Sequence, residues 1–583
     1  MDNKTLATIL NETADLMEIN GDDPFRIRSY RRAAETLEGY PQPATDLAAD
    51  VKALLEIPGI GKGMAANIQE VAQTGKLQLH QELLAKFHPS MLELFKIQGL
   101  GPKTIALIWS AFQVSDLDGV VQLAKDGKLR TLPRMSEKGE QKILKAIEDY
   151  RRISGRFLID EADRTASQLA AHLKHVKGIE AITPAGSLRR GRETVGDLDV
   201  LITGPACDND QQRAALIDEI VKFPGIDQVL GKGNNKVSFK LRSGLQVDVR
   251  TLSPDSYGAG LQYFTGSKNH SVALRQRALK MGLTLNEYGL TRLKDNKVVA
   301  SKTEEDIYGK LKLDWIPPEL RENTGEIEAA EKHELPDLIT LKDLRGEVHM
   351  HTVETDGKNT IEEMAEAARL RGYQYIAITD HTKNLAMANG LDDKRAVQHI
   401  ARIRAANDRI AGITVMAGIE VDILTDGSLD LSDSVLEQMD VVVASVHSAF
   451  SQEKQQMTDR LLRAISNPNV SILGHPTGRL QLRREAYEFD FEAILQIARE
   501  KQVAMELNAY PERLDLNDVH LRRARDQGVK IVINTDAHHT SHFEKIKYGI
   551  LQARRGWLTA KDVLNTLPEK EFRRAMKHHW PTN

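Results

Sequence analysis

The sequence predicts a multidomain protein of mixed α+β and α/β class: an all-helical N-terminal region, a smaller α/β middle, and a C-terminal barrel of alternating strands and helices. Three observations predict it. The first 150 residues set apolar positions at helical spacing between Gly and Pro breaks. From about residue 156 helices are followed by strand-like runs such as DLDVLIT, KVSFKL and LQVDVRT. After Leu341 the runs GEVHMHT, YIAITDH, ITVMAGIEVDIL, VVVASVH, SILGHP, VAMELNA and IVINTDAH alternate with helical stretches, as parallel βα units do.

Composition fits several globular domains. The 583 residues are 41% apolar and 28% charged, and no tract approaches the roughly 18 apolar residues of a membrane span. The opening MDNKTLATILNETADLMEIN lacks a basic flank before an apolar core, so it reads as an amphipathic helix and not as a leader. A single cysteine, Cys207, makes neither an internal disulfide nor a thiolate cage. That suits a reducing, cytoplasmic setting and sends any metal to His and carboxylates. The net charge of −4 is uneven: residues 156–316 carry 24 Lys and Arg against 20 Asp and Glu, whereas 1–155 carry 20 against 21 and 317–583 carry 35 against 42. Only the middle is basic, and only mildly, so specific motifs must decide the partner.

In the helical region, YRRAAETLEGY ends at Gly39 and Pro41, and VKALLEI ends at Pro58. Ile57-Pro58-Gly59-Ile60-Gly61-Lys62 is echoed 40 residues later by Ile97-Gln98-Gly99-Leu100-Gly101-Pro102-Lys103, with a weaker copy at 132–140. Glycines around one apolar residue let backbone amides approach a phosphate without an intervening side chain. One copy could be a plain helix cap; two with matching flanks and a following Lys point to helix-hairpin-helix DNA binding. Gly59, Gly61, Lys62, Gly99, Gly101 and Lys103 are the expected DNA contacts.

In the middle region, strand alternation puts Asp197 and Asp199 on one face while Leu198 and Val200 face a core. Two adjacent carboxylates call for a hard cation such as Mg²⁺, completed by substrate phosphate. Asp248, between Val247 and Val249, is positioned to supply a third ligand. Gly186 and Ser187 offer an amide and a hydroxyl to a triphosphate, and Arg190 a guanidinium. In the C-terminal region His349 and His351 share a strand face, Asp356 follows in a turn, and Asp380, His381, Glu420, His447, His475, Asp536 and His538 stand at or just after strand ends. In a βα barrel those ends converge on one face. Imidazole and carboxylate together suit Mn²⁺, Zn²⁺ or Fe²⁺.

These motifs resemble a bacterial or archaeal-type family X DNA polymerase with a C-terminal PHP (polymerase and histidinol phosphatase) domain, and the resemblance spans essentially the whole chain. The stretch 22–34, DDPFRIRSYRRAA, is similar to the N-terminal signature of the family; GSLRRG with GDLDVL resembles its nucleotidyltransferase palm; YFTGS, 263–267, resembles the segment facing the incoming sugar. The resemblance implies two Mg²⁺ or Mn²⁺ ions on the catalytic Asp197, Asp199 and Asp248. It implies triphosphate contacts from Gly186, Ser187, Arg190 and Gly196, with Gly266 in the sugar-facing segment. It implies a steric check on a ribose 2′-hydroxyl at Tyr263 and Phe264, and a thumb Arg at Arg275 that senses the nascent pair. The HMH, TDH, SVH and DAH motifs imply up to three Mn²⁺, Zn²⁺ or Fe²⁺ ions on His349, His351, Asp356, His381, Glu420, His447, His475, Asp536 and His538. Where lyase-active members carry a Schiff-base Lys this chain has Asn67, which forms no imine, and Ser271 replaces a frequent Asn that contacts the base. His539, His542, His578 and His579 lie outside the motifs.

The expected domains are 1–88 and 89–155 (helical, one hairpin each), 156–252 (palm), 253–317 (thumb), a Pro/Glu-rich linker at 318–340, and 341–583 (PHP). The expected function is a cytoplasmic repair enzyme, a monomer acting on gapped or nicked DNA and deoxynucleoside triphosphates with no membrane, and the sequence points to no specific protein partner. The palm fills short gaps, the PHP centre processes 3′ ends as a 3′-5′ exonuclease, and the resemblance extends to abasic-site incision. Two other readings are a phosphatase of a small phosphomonoester with a vestigial polymerase half, and a non-catalytic scaffold for DNA ends.

Overall fold

The protein is described by a computed structural model covering residues 3–580, apart from Gly39, 41–43, Pro58, Pro89, Gln98, Arg134 and Ser154, and for the backbone alone at Lys4, Glu38, Asp149 and 151–153. The helix ends expected at Gly39, Pro41 and Pro58, and the hairpin position Gln98, therefore fall outside the described residues. The chain forms two compact units, Met1–Ser154 and Gly155–Asn583. No helix among the described residues is long and apolar enough to cross a membrane.

The first unit is helical, with the apolar faces of its helices closing on one core. In the first hairpin the helix Val51–Glu56 turns through Gly59, φ 81°, to Gly61, which caps the helix Lys62–Thr74. In the second, Met91–Leu94 turns through Gly99, φ 91°, to Gly101 ahead of Pro102–Phe112. Both turns close by the same bond, Ile60 N to Ile57 O at 3.1 Å and Leu100 N to Ile97 O at 3.0 Å. The weaker copy repeats it, Met135 N to Leu132 O at 3.1 Å, and enters the helix Glu137–Ile153 after Ser136. Ile60 and Leu100 are buried, while Gly59, Gly61, Lys62, Gly99, Gly101 and Lys103 are exposed. Asn67 donates to the Tyr30 hydroxyl at 2.8 Å.

The second unit begins with a five-stranded sheet ordered Ala181–Pro184, Asp197–Thr203, Gln246–Leu252, Lys236–Leu241, Ile226–Lys232. A smaller part follows, with helices Tyr257–Thr265 and Lys268–Lys280, a three-stranded antiparallel sheet, and the helix Glu304–Lys310. The C-terminal part is a parallel sheet of seven strands in chain order: Gly346–Glu347, Tyr375–Ile378, Thr414–Asp422, Val441–Ser445, Ile472–Leu473, Ala504–Asn508 and Ile531–Asn534. A parallel bridge between Met350 and Ala537 brings first and last together, so the barrel is nearly closed.

The stretch 318–340 is not the linker its composition suggests. It forms the turn Pro318–Leu320 and the helix Glu326–Lys332, and Leu320, Ile327, Ala330 and Leu338 join the core of the preceding part. Its charges are paired across the fold. Fully buried Arg321 donates to both oxygens of Glu304, at 2.6 and 3.2 Å, and to Ile316 O at 2.8 Å; Glu326 accepts from His270 at 2.6 Å. Burial opposes a charged Glu304, but the guanidiniums of Arg321 and Arg189 hold its carboxyl down at about 2. Removing one partner of such a pair leaves the other buried and unmatched. Arg321→Met is therefore expected to destabilise the second unit by about 3–5 kcal/mol, read as a lowered urea midpoint; an unchanged midpoint would show the pair to be idle.

Candidate active sites

The first site lies on the five-stranded sheet. Asp197–Thr203 runs parallel to Gln246–Leu252 with Asp199 directly opposite Asp248. Leu198, Val200, Val247 and Val249 are buried beneath, so the acids take the other face, as alternation requires. Burial, and then the carboxylates of Asp197 and Asp248, push Asp199 up to about 7. Burial also opposes ionised Asp248, yet bonds from Ser238 and from Lys236 Nζ at 2.9 Å hold it below the usual carboxylate value. Three carboxylates this close form a set that a divalent cation would balance.

Beside the acids is a cleft of about 590 Å³. Gly186, Ser187, Arg190, Gly196, Asp197, Asp199, Tyr263, Phe264 and Gly266 line it together. Gly186 is required there: its φ is +56°, and a Cβ would stand 2.7 Å from Asp199 Oδ2. Arg190 faces the cleft but is engaged, its Nε donating to Glu322 at 3.1 Å and its Nη1 to Thr265 O at 2.5 Å. Tyr263 and Phe264 meet edge to face with centroids 5.0 Å apart, and Arg250 covers the Phe264 ring at 4.2 Å. Asp248 and Arg275 are not among the lining residues: Asp248 is covered, and Arg275 is exposed with its Nε on Ser271 O at 3.2 Å. Three lining cations, Arg156, Arg192 and Lys268, escape the sequence reading. Arg192 and Lys268 directly flank motif residues, which is the available signal.

The second site crowns the barrel. His349 and His351 follow the first strand, His381 the second, Glu420 lies near the end of the third, His447 and His475 follow the fourth and fifth, and Asp536 and His538 the last. Asp356 reaches in from the loop before the helix Ile361–Leu370. All nine converge. The buried Glu420 carboxylate lies 3.4 Å from His349 Nε2, 3.6 Å from His351 Nε2, 2.8 Å from His381 Nδ1, 3.4 Å from His447 Nε2 and 3.0 Å from His475 Nε2. Asp536 Oδ1 is 3.0 Å from His351 Nε2, and Asp356 Oδ2 is 3.5 Å from His381 and 3.3 Å from His538. Ligand atoms group as His351, Asp356, His381, His538; as His349, His351, Asp536; and as His381, Glu420, His447.

The donor set fits metal. His349 Nε2 and His351 Nδ1 are buried without a hydrogen-bond partner, and His381 Nδ1 faces Glu420 Oε2 at 2.8 Å outside hydrogen-bond geometry, an arrangement that a folded chain tolerates where cations take the lone pairs. Burial disfavours charge throughout. Even so, Glu506, Asp536 and Glu420 push His349 well above its ordinary value, while burial and the imidazoles of His538 and His381 bring His351 down to about 4. His475 and Asp536 have positive φ, 25° and 55°, a backbone that costs a non-glycine residue roughly 1–2 kcal/mol.

Orienting carboxylates escape the sequence reading too. Glu506 holds His349 Nδ1 at 2.7 Å and the His475 amide at 2.7 Å, and Asp422 holds His447 Nδ1 at 2.5 Å. Their signal is an acid inside an apolar strand, which is informative by itself only where it stands next to His. Asp380 is such a support as well, accepting from Thr352 Oγ1 at 2.6 Å and Thr355 Oγ1 at 2.5 Å and pairing with His399 at 2.9 Å. His542 Nδ1 accepts from the His538 amide at 3.3 Å, and His578 contacts backbone carbonyls away from the cluster.

Known families match in the same order: helix-hairpin-helix domain at 1–77, SAM-like helix-hairpin-helix tandem at 91–149, DNA polymerase beta palm at 156–232, DNA polymerase beta thumb at 260–322 and PHP domain at 347–510. The last ends before Asp536 and His538, which the barrel brings in. The DNA polymerase/3′-5′ exonuclease PolX of Bacillus subtilis is 37% identical over 581 residues, 99% of this chain and all of that protein. Probable phosphatases of Caldicellulosiruptor saccharolyticus and Thermoanaerobacter pseudethanolicus are 32% and 28% identical, covering 33% and 38% of this chain and 80% and 89% of their own length.

The Asp199 carboxyl titrates higher in the fold than its ordinary 3.8, so the folded state holds a proton that the unfolded chain has released. Stability of the metal-free protein then falls as pH rises from roughly 4 to 7. Asp199→Asn in EDTA is expected to raise the melting temperature by a few degrees at pH 8 and to leave it unchanged at pH 4; an equal gain at both would contradict the titration.

Proposed function

We propose a function for this chain from its family: it belongs to the family X DNA polymerases with a C-terminal PHP domain, and it is a DNA polymerase and 3′-5′ exonuclease that fills short gaps in DNA. The observation that carries the polymerase assignment is Asp199 set opposite Asp248, two residues from Asp197, beside a cleft bearing four cations. Arg156, Arg190, Arg192 and Lys268 match the charge of a deoxynucleoside triphosphate, and Gly186 with Ser187 lets its phosphates approach the backbone. Tyr263 and Phe264 wall the sugar side against a 2′-hydroxyl. The exposed hairpins at Gly59–Lys62 and Gly99–Lys103 offer amides and a lysine to DNA phosphates, contacts that position without reading sequence.

Divalent cations, Mg²⁺ or Mn²⁺ on Asp197, Asp199 and Asp248 and up to three of Mn²⁺, Zn²⁺ or Fe²⁺ on the nine barrel residues, supply nucleophile activation and charge neutralisation when bound. In the barrel, Glu506 and Asp422 fix the tautomers of His349 and His447 so that each presents Nε2 to the centre. Arg513 Nε lies 3.7 Å from Asp536, a cation at the edge of the cluster suited to a phosphate. A hydrolase that clears the 3′ end prepares the hydroxyl that a polymerase extends, so the enzyme fits a repair role in the cytoplasm as a monomer; abasic-site incision belongs to the same centre. Asn67, bonded to Tyr30, leaves the first hairpin without the imine-forming lysine of a lyase. The likeness of the C-terminal third to probable phosphatases favours a second reading of that centre, a phosphomonoesterase.

On a labelled one-nucleotide-gapped duplex with Mn²⁺, Asp248→Ala is expected to lower extension more than about 100-fold while sparing 3′ shortening, and His349→Ala to do the reverse. Loss of both activities in either variant would contradict separate centres. Release of phosphate without nucleotide would favour the phosphomonoesterase.

A further inference from the structure

The barrel packs against the palm turn beside the cleft. Its helix Ile546–Arg555 packs along the palm turn that follows the glycine-serine pair. Gly191, φ +65°, lies so close to this helix that a Cβ would stand 2.9 Å from Leu551 Cβ. Gln552 donates to Glu193 at 2.9 Å, and Arg479 of the barrel to the same oxygen at 2.6 Å. At the end of the helix, Arg555 has a side chain only 1% exposed. Its Nη1 donates to the Arg190 carbonyl at 2.9 Å and to Glu322 Oε1 at 2.9 Å, and its Nη2 to Asp518 at 2.5 Å.

Glu322 is the shared member. The oxygen that accepts from Arg555 also accepts from Arg190 Nε at 3.1 Å and lies 3.9 Å from Arg192. Its carboxylate lines the cleft. Arg190 turns its Nε to Glu322 and its Nη1 to Thr265 O, so a triphosphate that takes the Nε edge displaces Glu322, and one that takes the other N–H groups binds beside that internal anion. The barrel arginine is no competitor for the triphosphate, because it is buried and committed to Asp518.

We propose that Glu322 is a positioning residue partitioned between Arg190 of the palm and Arg555 of the PHP barrel, and that this partition sets the affinity of the polymerase for its nucleotide. Arg555 stabilises Glu322 when the triphosphate takes Arg190, so the barrel tunes an activity to which it contributes no catalytic residue. The inference rests on Arg190 gripping the triphosphate. It predicts opposite signs for two substitutions in one network. Glu322→Gln removes the competing charge and tightens nucleotide binding. Arg555→Gln leaves Glu322 to Arg190 alone and weakens it. With both changes Glu322 is no longer an anion, so the loss of Arg555 matters little.

The experiment uses the full-length protein on a gapped duplex with a templating dT. It measures dATP affinity by calorimetry with a dideoxy-terminated primer and Mg²⁺, and KM and kcat by extension of an ordinary primer. Glu322→Gln is expected to lower Kd and KM roughly 3- to 10-fold, Arg555→Gln to raise them by a similar factor, and the double variant to lie within about twofold of Glu322→Gln, with kcat and 3′ shortening little changed. Shifts of the same sign, unchanged affinities, or a fall in kcat alone would overturn the proposal. Should Arg555→Gln fail to fold because Asp518 loses its partner, Glu322→Gln still decides: weaker or unchanged dATP binding overturns it. Failure of the wild type to extend any primer would instead sink the polymerase reading, while its dATP affinities would still judge the partition of Glu322.

Discussion

A carboxylate buried among five imidazoles is the constraint around which the C-terminal barrel is organised. Glu420 faces five histidines from four strand ends, and one of its oxygens has no hydrogen-bond partner. Isolated, such a group would be expelled or neutralised. It is retained because parallel strands with apolar neighbours hold every ligand at one rim, and because Glu506, Asp422 and Asp380 fix the surrounding rings and loops from behind. The palm meets the same problem on a smaller scale: Asp199, crowded by Asp197 and Asp248, is raised to about 7. In both places the fold supplies anionic oxygens at fixed spacing and leaves the balancing charge to cations.

The two centres share one compact unit. The core of the palm includes Leu514 and Tyr548 from the barrel, and that of the thumb includes Trp557. Ion pairs reinforce the junction: Lys545 with Asp160 at 2.9 Å, Arg479 with Glu193 at 2.6 Å and Arg554 with Glu319 at 2.6 Å. Apolar burial gives this junction its strength, and the partly buried pairs give it register. The turn at Gly186–Gly191, beside the palm acids, is thereby braced by the PHP barrel.

Much of this is legible in the chain because the signals are local. Alternation around Asp197, Asp199 and Asp248 fixes which side the acids take. The repeated glycine turns locate both hairpins, and each histidine or carboxylate after an apolar run marks a strand end. What escapes depends on partners distant in sequence. Composition makes 318–340 look like a linker because its Glu and Arg residues match surface charge, whereas Arg321, Glu319 and Glu322 are consumed by Glu304, Arg554 and Arg555. Arg190 reads as free for phosphate, and the structure gives it Glu322. Glu506 is silent in the sequence because a lone acid in an apolar strand has no local partner; its partner is His349, 157 residues away.

Whether both carboxylate sets hold metal is the central question, and anomalous diffraction from crystals grown with Mn²⁺, gapped DNA and a non-hydrolysable deoxynucleotide addresses it directly. Up to three Mn²⁺ peaks are expected among the nine barrel residues and two more between Asp197, Asp199, Asp248 and the triphosphate. Peaks in the barrel with none at the three aspartates, while nucleotide is bound, would contradict the claim that one chain carries two metal-dependent centres.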